Sequence, residues 1–368
     1  MSEAEKKRLT PADVLKAESP LVLTATLEPM VGDRFQPAGF PEIGHVIYKA
    51  PQKDGSAENV CIVDSPASMA NHLETVCQRS AHDLDLVDDL KGMPYVRCVT
   101  NKTKGQTPEK DREVVVTSLT EGHRIASSMF LDGKPLQNDA MADSTYEQHL
   151  VTQFGIEVPG SSKAHPPAEK WWDVFKTIFE ADPNSLVHGV LFPQWQIKIP
   201  RALTAHLEAL GASRVDRSGV KFDKELGPKS DKRVQAIFAV DDATAKLIRA
   251  TFVIDVSLIR SFGRQKGEST LGLSEKQKEF LVALALWKVQ KLLASPFRYR
   301  SGCHLRRTTL KNYAQEVEID VDIKAAIAAA RFGGITDVFW PREELYREGQ
   351  AEAPDSGDED EDADETVE

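Results

Sequence analysis

The stretch LVLTATLEPMVGDRFQPAGFP, residues 21–41, decides how the rest of the chain is read. Leu21, Val22, Leu23, Ala25 and Leu27 leave Thr24, Thr26 and Glu28 for a wetter face. Pro29 has no N–H to donate and ends the ladder, which gives a strand of about seven residues. After it, Gly32, Asp33, Arg34, Phe35, Gln36, Pro37, Gly39, Phe40 and Pro41 combine turn-formers with a cation, an aromatic ring and an amide. A rigid loop at a strand end is a natural binding surface. The same residues also fit a plain wide connection, with Phe35 and Phe40 tucked into the core and Asp33 paired with Arg34 in solvent.

With 368 residues, 41% of them apolar, the chain has material for one large domain with insertions or for two smaller ones. No run approaches the roughly 20 apolar residues of a membrane span, and the first ten residues are charged rather than signal-like. A cytoplasmic protein with no membrane partner is expected. Cys61, Cys77, Cys98 and Cys303 lie far apart with no CxxC pair, which predicts reduced, buried thiols rather than a zinc site or a disulfide framework. The net charge of −11 is localised, because residues 352–368 hold ten Asp or Glu and no Lys or Arg. The body of the chain is therefore close to neutral. Residues 346–368 read as a disordered acidic tail that either solubilises the protein or mimics a nucleic-acid backbone over basic grooves.

Along the chain, Thr10-Pro11 predicts a short helix within an N-terminal extension of residues 1–19. Residues 45–50 and 59–63 read as a hairpin. Ser65-Pro66 then opens a helix over 64–78 with Met69, Leu73, Val76 and Cys77 on its apolar side. Its first turns expose Ser68 and Asn71 where backbone donors attract phosphate. Two β-rich runs, 95–100 and 113–119, flank a basic tip and predict a long hairpin. Thr120 begins a further helix carrying His123 and Arg124, which read as phosphate donors because no partner carboxylate or nucleophile accompanies them at a recognisable spacing. Helices are expected over 144–154 and 169–181, with Trp171 and Trp172 half-buried, and strands over 185–192 and 194–199. Pro200 reads as opening a helix through Leu210 in which His206 packs into the core. Strands follow at 234–240 and 251–258, the second ending on Arg260. Ser274 and Gln277 form a capping box for a helix apolar around most of its circumference. After it, FRYRSGCHLRR (297–307) alternates Phe297 and Tyr299 with Arg298 and Arg300, placing rings on one strand face and cations on the other. An ordinary charged strand face fits that alternation too. A last strand and an alanine-rich helix occupy 316–331.

The blocks LTATLEPMVGDRFQPAGFPEIGH, SPASMANHLE, EGHRIASSMF, SLVHGVLF, SGVKFD, DVSLIRSFG and YRSGCHL occur in order through most of the chain. Together they resemble the signature blocks of the backbone subunit, of the Cas-seven type in the RAMP superfamily, of type I-U (or I-G) CRISPR interference complexes. The resemblance implies an α+β fold: an RRM/ferredoxin-like core over residues 20–345, with a helical insertion (132–184) and a projecting β-hairpin thumb. The hairpin at about 94–118 is the thumb candidate and the segment 214–233 its rival. The implied partners are a CRISPR RNA guide, target DNA through that guide, further copies of the chain and the other Cascade subunits. The implied RNA contacts are Arg34, Phe35, Gln36, Ser68, Asn71, His123, Arg124, Lys221, Arg260, Arg298 and Arg300, with no cofactor, metal or catalytic residue. Two positions depart from the family pattern: Ser218 stands where a second glycine precedes the valine, and His304 where an acidic residue follows the cysteine.

The resemblance implies binding to any guide through phosphate and ribose, with aromatic stacking and no base-specific readout, for which arginines, lysines, glycines and aromatic rings are suited. The alternative is a metal-dependent endoribonuclease, since related type III backbone subunits cut target RNA with an aspartate in the loop after the first strand, where this chain has Asp33. A lone carboxylate beside Arg34 is a poor metal site. The chain has no phosphate-loop glycine fingerprint, triad spacing or cofactor motif that would mark a metabolic enzyme.

Overall fold

The computed structural model describes residues 6–40, 44–103, 112–136, 144–157, 164–215 and 241–345. Its centre is a nine-stranded sheet in the order Lys7–Leu9, Gln315–Ile319, Cys303–Asn312, Leu21–Pro29, Leu247–Ile254, Leu203–Leu210, Ala57–Asp64, Ile47–Pro51, with Phe297–Arg300 paired to Cys303–Asn312 off this path. Leu21–Pro29 is central and antiparallel to both neighbours. Alternation explains its place: Leu21, Leu23, Ala25 and Leu27 are buried, while Thr24, Thr26 and Glu28 lie on the wetter face.

The four middle strands follow the chain order fourth, first, third, second, counting Leu21–Pro29 as first and Leu203–Leu210 as second. Helix Pro66–Thr75 lies between the first and second, and helix Glu275–Leu293 between the third and fourth. The long helix begins at the predicted capping box, with Ser274 Oγ accepting from Gln277 N–H. Every residue from Phe280 to Val289 is buried. The reason is its neighbours: Pro11–Lys16, Pro66–Thr75, Asn184–His188, Val256–Ser261 and Ile323–Ala330 all pack on it. Each fully buried Leu or Phe there contributes about 1.5–3 kcal/mol. All four cysteines are free and buried, and burial pushes Cys61 up to about 11 and Cys98 and Cys303 up to about 12. No helix among the described residues is long and apolar enough to cross a membrane.

Several expectations change. Residues 203–210 form a strand, not a helix, because Leu203, Ala205, Leu207 and Ala209 are buried at a period of two between Leu247–Ile254 and Ala57–Asp64. His206 consequently lies on the half-open face, 3.6 Å from Glu208, instead of in the core. Asn184–His188 is a short helix, with a strand only at Val190–Phe192. The strand expected at 251–258 starts earlier, at Leu247, and stops at Ile254, where Asp255 caps the helix Val256–Ser261. After Thr120 the chain makes only a 3-10 turn at Arg124–Ala126 and the one-turn helix Ser128–Leu131.

The predicted hairpin is present as Val96–Asn101 and Arg112–Thr117. Its base does not stand free: it belongs to a four-stranded sheet completed by Thr336–Phe339 and Lys134–Pro135. Buried Asp337 pairs with Arg97 at 2.7 Å and Arg112 at 2.9 Å, fastening both strands. The hairpin tip, most of the rival thumb segment, the strand expected at 234–240 and the acidic tail lie outside the described residues. Ser213–Val215 pairs antiparallel with Asp242–Thr244.

Candidate nucleic-acid interface

Strand Ala57–Asp64 carries Asp64 to the start of helix Pro66–Thr75, where Ser65 Oγ accepts the Ser68 N–H at 3.2 Å. Asp64 has a side chain 1% exposed and sits at the meeting point of three segments. Its Oδ1 accepts from Arg300 at 2.8 Å and from the Ser65 N–H at 3.0 Å. Its Oδ2 lies 2.9 Å from His72 Nε2, which is in turn 3.4 Å from Ser68 Oγ. Arg300 Nη1 also donates to the carbonyls of Val63 (2.6 Å) and Gln36 (3.4 Å). The rings of Phe297 and Tyr299 meet His72 edge-on, with centroids 5.3 and 5.4 Å away. Burial pushes the Asp64 carboxyl up, but hydrogen bonds from His72 and Ser68 and the Arg300 charge outweigh it and hold the group below its ordinary value.

Gly302 makes this junction possible. It turns the hairpin at φ +75°, and a Cβ there would stand 3.1 Å from Gln36 Oε1. The Gln36 N–H donates to Gly302 O at 2.9 Å, sealing the loop after the first strand against the hairpin. Loop, helix start and hairpin thus form one unit that brings Gln36, Ser68 and Arg300 close together.

The remaining predicted residues are distributed differently. Arg34 has a side chain 63% exposed and lies 3.8 Å from Asp242. Phe35 corrects the expectation of a stacking ring, for it is 1% exposed and its backbone bridges Ala243. Asn71 is exposed, and Arg298 points outward, donating to Ser301 Oγ at 2.8 Å. Arg300 is drawn inward by Asp64, against the expected outward face, because its countercharge comes from a residue 236 positions away in sequence. Arg260 donates to the carbonyls of Leu15 and Ala17, at 3.0 and 2.8 Å, and so ties down the N-terminal helix. Lys221 lies outside the described residues.

His123 is exposed, whereas Arg124 is 8% exposed and committed to a buried network. Its Nε and Nη2 donate to Glu74 at 2.9 and 2.7 Å, and its Nη1 donates to Gly189 O at 3.1 Å. Asn184 Nδ2 donates to Glu74 at 2.7 Å, Lys288 Nζ donates to Asn184 Oδ1, and Lys288 Nζ lies 3.0 Å from His188 Nε2. Sequence reading missed Asp64, Glu74, His188 and Lys288. Only Lys288 carried a signal, as a cation within the apolar run 280–293 of the long helix.

Burial, followed by the charges of Lys288, Arg124 and Arg201, holds His188 well below 6.5. The folded state then binds fewer protons than the unfolded chain as pH falls below 6.5, so the stability contributed by neutral His188 is complete above 6.5 and is lost below it. Asp182, which burial pushes up to about 6, titrates in the same range and must be cancelled by comparison. Relative to His188→Gln, the unsubstituted protein is expected to lose about 1.4 kcal/mol per pH unit below 6.5 in urea unfolding, and parallel pH profiles would refute this.

Asp33 is exposed and lines a shallow cleft of about 220 Å³ with Glu28, Lys246 and Thr308. Among the described residues no group of three or more His, Cys, Asp or Glu is arranged to hold a metal ion.

No curated protein matches the chain. Among solved structures it is similar to Csc2 of Thermofilum pendens, at 10% identity and a TM-score of 0.28, over 87% of this chain and 74% of that one. That likeness is too slight to assign a fold. The family model of CRISPR-associated protein GSU0053 matches residues 21–214, which run from the central strand through the Asp64 junction to the end of Leu203–Leu210 and beyond it. With more than half of its length matched, the chain belongs to the CRISPR-associated protein GSU0053 family.

Proposed function

We propose that this CRISPR-associated protein is the guide-RNA-binding backbone subunit, of the Cas-seven type, of a type I-U/I-G Cascade-like complex, and that it performs no chemistry. The observation that carries the reading is the junction at Asp64. There the loop bearing Arg34, the helix bearing Ser68 and Asn71, and the hairpin bearing Arg298 are fixed to one another. The sheet order fourth-first-third-second, with a helix after the first and third strands, is that of a split βαβ unit and supports an RRM-like core.

Phosphate binding in this reading falls to exposed cations, while the buried ones shape the protein. Arg34, Arg298 and Arg307 are exposed; Arg300, Arg124 and Arg260 are committed to internal partners. Sequence-independent binding suits a subunit that accepts any guide, reaches target DNA only through it, and packs head-to-tail on its own copies beside other Cascade subunits. Single-stranded RNA affinity measured across salt concentrations tests this. Arg34→Gln and Arg298→Gln are each expected to lower the slope of log K against log salt by about 0.7 while leaving the melting temperature unchanged. Unchanged slopes in both variants would remove the proposed contacts.

A further inference from the structure

A cleft of about 340 Å³ lies on the far side of Arg124 from Glu74, lined by His123, His188, Gly189, Lys198 and Arg201 among others. Its volume is in the range, roughly 300–1,000 Å³, that takes a small organic ligand rather than a bare ion. No carboxylate is among the lining residues. Arg124 is already neutralised by Glu74, so the uncompensated positive charge of the cleft comes from Lys198 and Arg201. Both are exposed, and neither has an ion pair among the described residues.

His188 supplies an independent observation. It is 1% exposed, and its Nδ1 is buried without a hydrogen-bond partner among the described residues. Its Nε2 faces Lys288 Nζ at 3.0 Å. An ammonium group only donates, so Nε2 must accept, and the ring proton therefore resides on Nδ1. The orphan is thus a donor, and a buried donor left unpaired costs about 1–3 kcal/mol. The backbone presses His188 against this cleft: Gly189 has φ +80°, and a Cβ there would stand 2.8 Å from Ile199 O, so only glycine lets the two walls approach so closely.

An orphan donor beside two exposed cations, with no carboxylate among the lining residues, calls for an anionic acceptor. We infer that the His123–Arg201 cleft is a phosphate site, in which Lys198 and Arg201 hold a phosphate group of a nucleotide and His188 Nδ1–H is the buried donor beneath it. In naming the guide RNA as the source of that phosphate, the inference rests on the proposed function; a free nucleotide offers the same chemistry. Nδ1 is covered, so binding must reach it by a local shift of the rim, and that atom is where occupancy is read.

The test uses the full chain with ¹⁵N-labelled histidine, titrated separately with single-stranded RNA of guide length, with AMP and with inorganic phosphate. The exposed double variant Lys198→Gln/Arg201→Gln serves as control. The expected result is that RNA moves the His188 ring resonances, and that the variant loses this shift and about 1.4 from its salt slope, at 0.7 per phosphate contact. If AMP or phosphate moves His188 while the protein binds no RNA, the phosphate site stands and the guide-binding reading fails. If RNA binds with an unchanged slope in the variant and no ligand moves His188, the inference is overturned while guide binding survives.

Discussion

Arg124→Met is expected to destabilise the protein by about 3–5 kcal/mol, because it leaves the Glu74 carboxylate buried without its countercharge. Both side chains are 9% exposed, and the guanidinium makes two bonds to the carboxylate. Loss of the pair also frees Gly189 O, which Arg124 holds at 3.1 Å, so the wall carrying His188 loosens with it. The double variant Glu74→Gln/Arg124→Met removes both charges and should recover a large part of the loss, since the penalty is that of one stranded charge rather than of one missing contact. Urea unfolding of the two single variants and the double variant reads this directly. Unaltered stability in Arg124→Met, together with weaker RNA binding, would instead make Arg124 the direct phosphate contact that its position beside His123 suggests in sequence.

The second large effect is at Arg300. Arg300→Met removes the cation from Asp64, whose side chain is 1% exposed, and releases the carbonyls of Val63 and Gln36. His72 and the Ser65 N–H remain on the carboxylate. A cost of about 3 kcal/mol is therefore expected, at the lower end for a broken buried pair. The loss falls on the junction that joins loop, helix start and hairpin, so RNA affinity should drop well beyond the effect of one phosphate contact. Asp64→Asn in the same chain should restore stability to Arg300→Met. If Arg300→Met changed only the salt slope and left the unfolding midpoint where it was, Arg300 would be a surface contact and the junction would be held by other forces.

The elements legible in the sequence were those whose cause is local. The strand Leu21–Pro29 follows from alternation, and the helix Pro66–Thr75 follows from Ser65-Pro66. The long helix Glu275–Leu293 follows from its capping box, and its broad apolar surface announced burial on several sides. The segment RALTAHLEALG misled because Ala, Leu and Glu favour helix and Pro200 suits a helix start. The two flanking strands override that propensity, and the alternation of Leu203, Ala205, Leu207 and Ala209 was the better signal.

At the candidate interface, charge and position in the sequence point to segments but not to which of their cations are exposed. Charge and position alone make Arg34, Arg124, Arg260, Arg298 and Arg300 equivalent. What separates them is the partner each finds: Glu74 for Arg124, the carbonyls of Leu15 and Ala17 for Arg260, and Asp64 for Arg300. Those partners are 50 to 245 residues away along the chain, beyond any local pattern. Phe35 posed the same ambiguity between stacking surface and core anchor, and its bridge to Ala243 resolved it as an anchor.

The central claim is that this chain coats a guide. Purifying it from cells that express a CRISPR array together with the partner subunits, and asking whether nuclease-protected RNA co-elutes, tests that most directly. The account predicts a multimeric protein peak carrying RNA of guide length, with protection lost in Arg300→Met. A monomer free of nucleic acid under those conditions would contradict it.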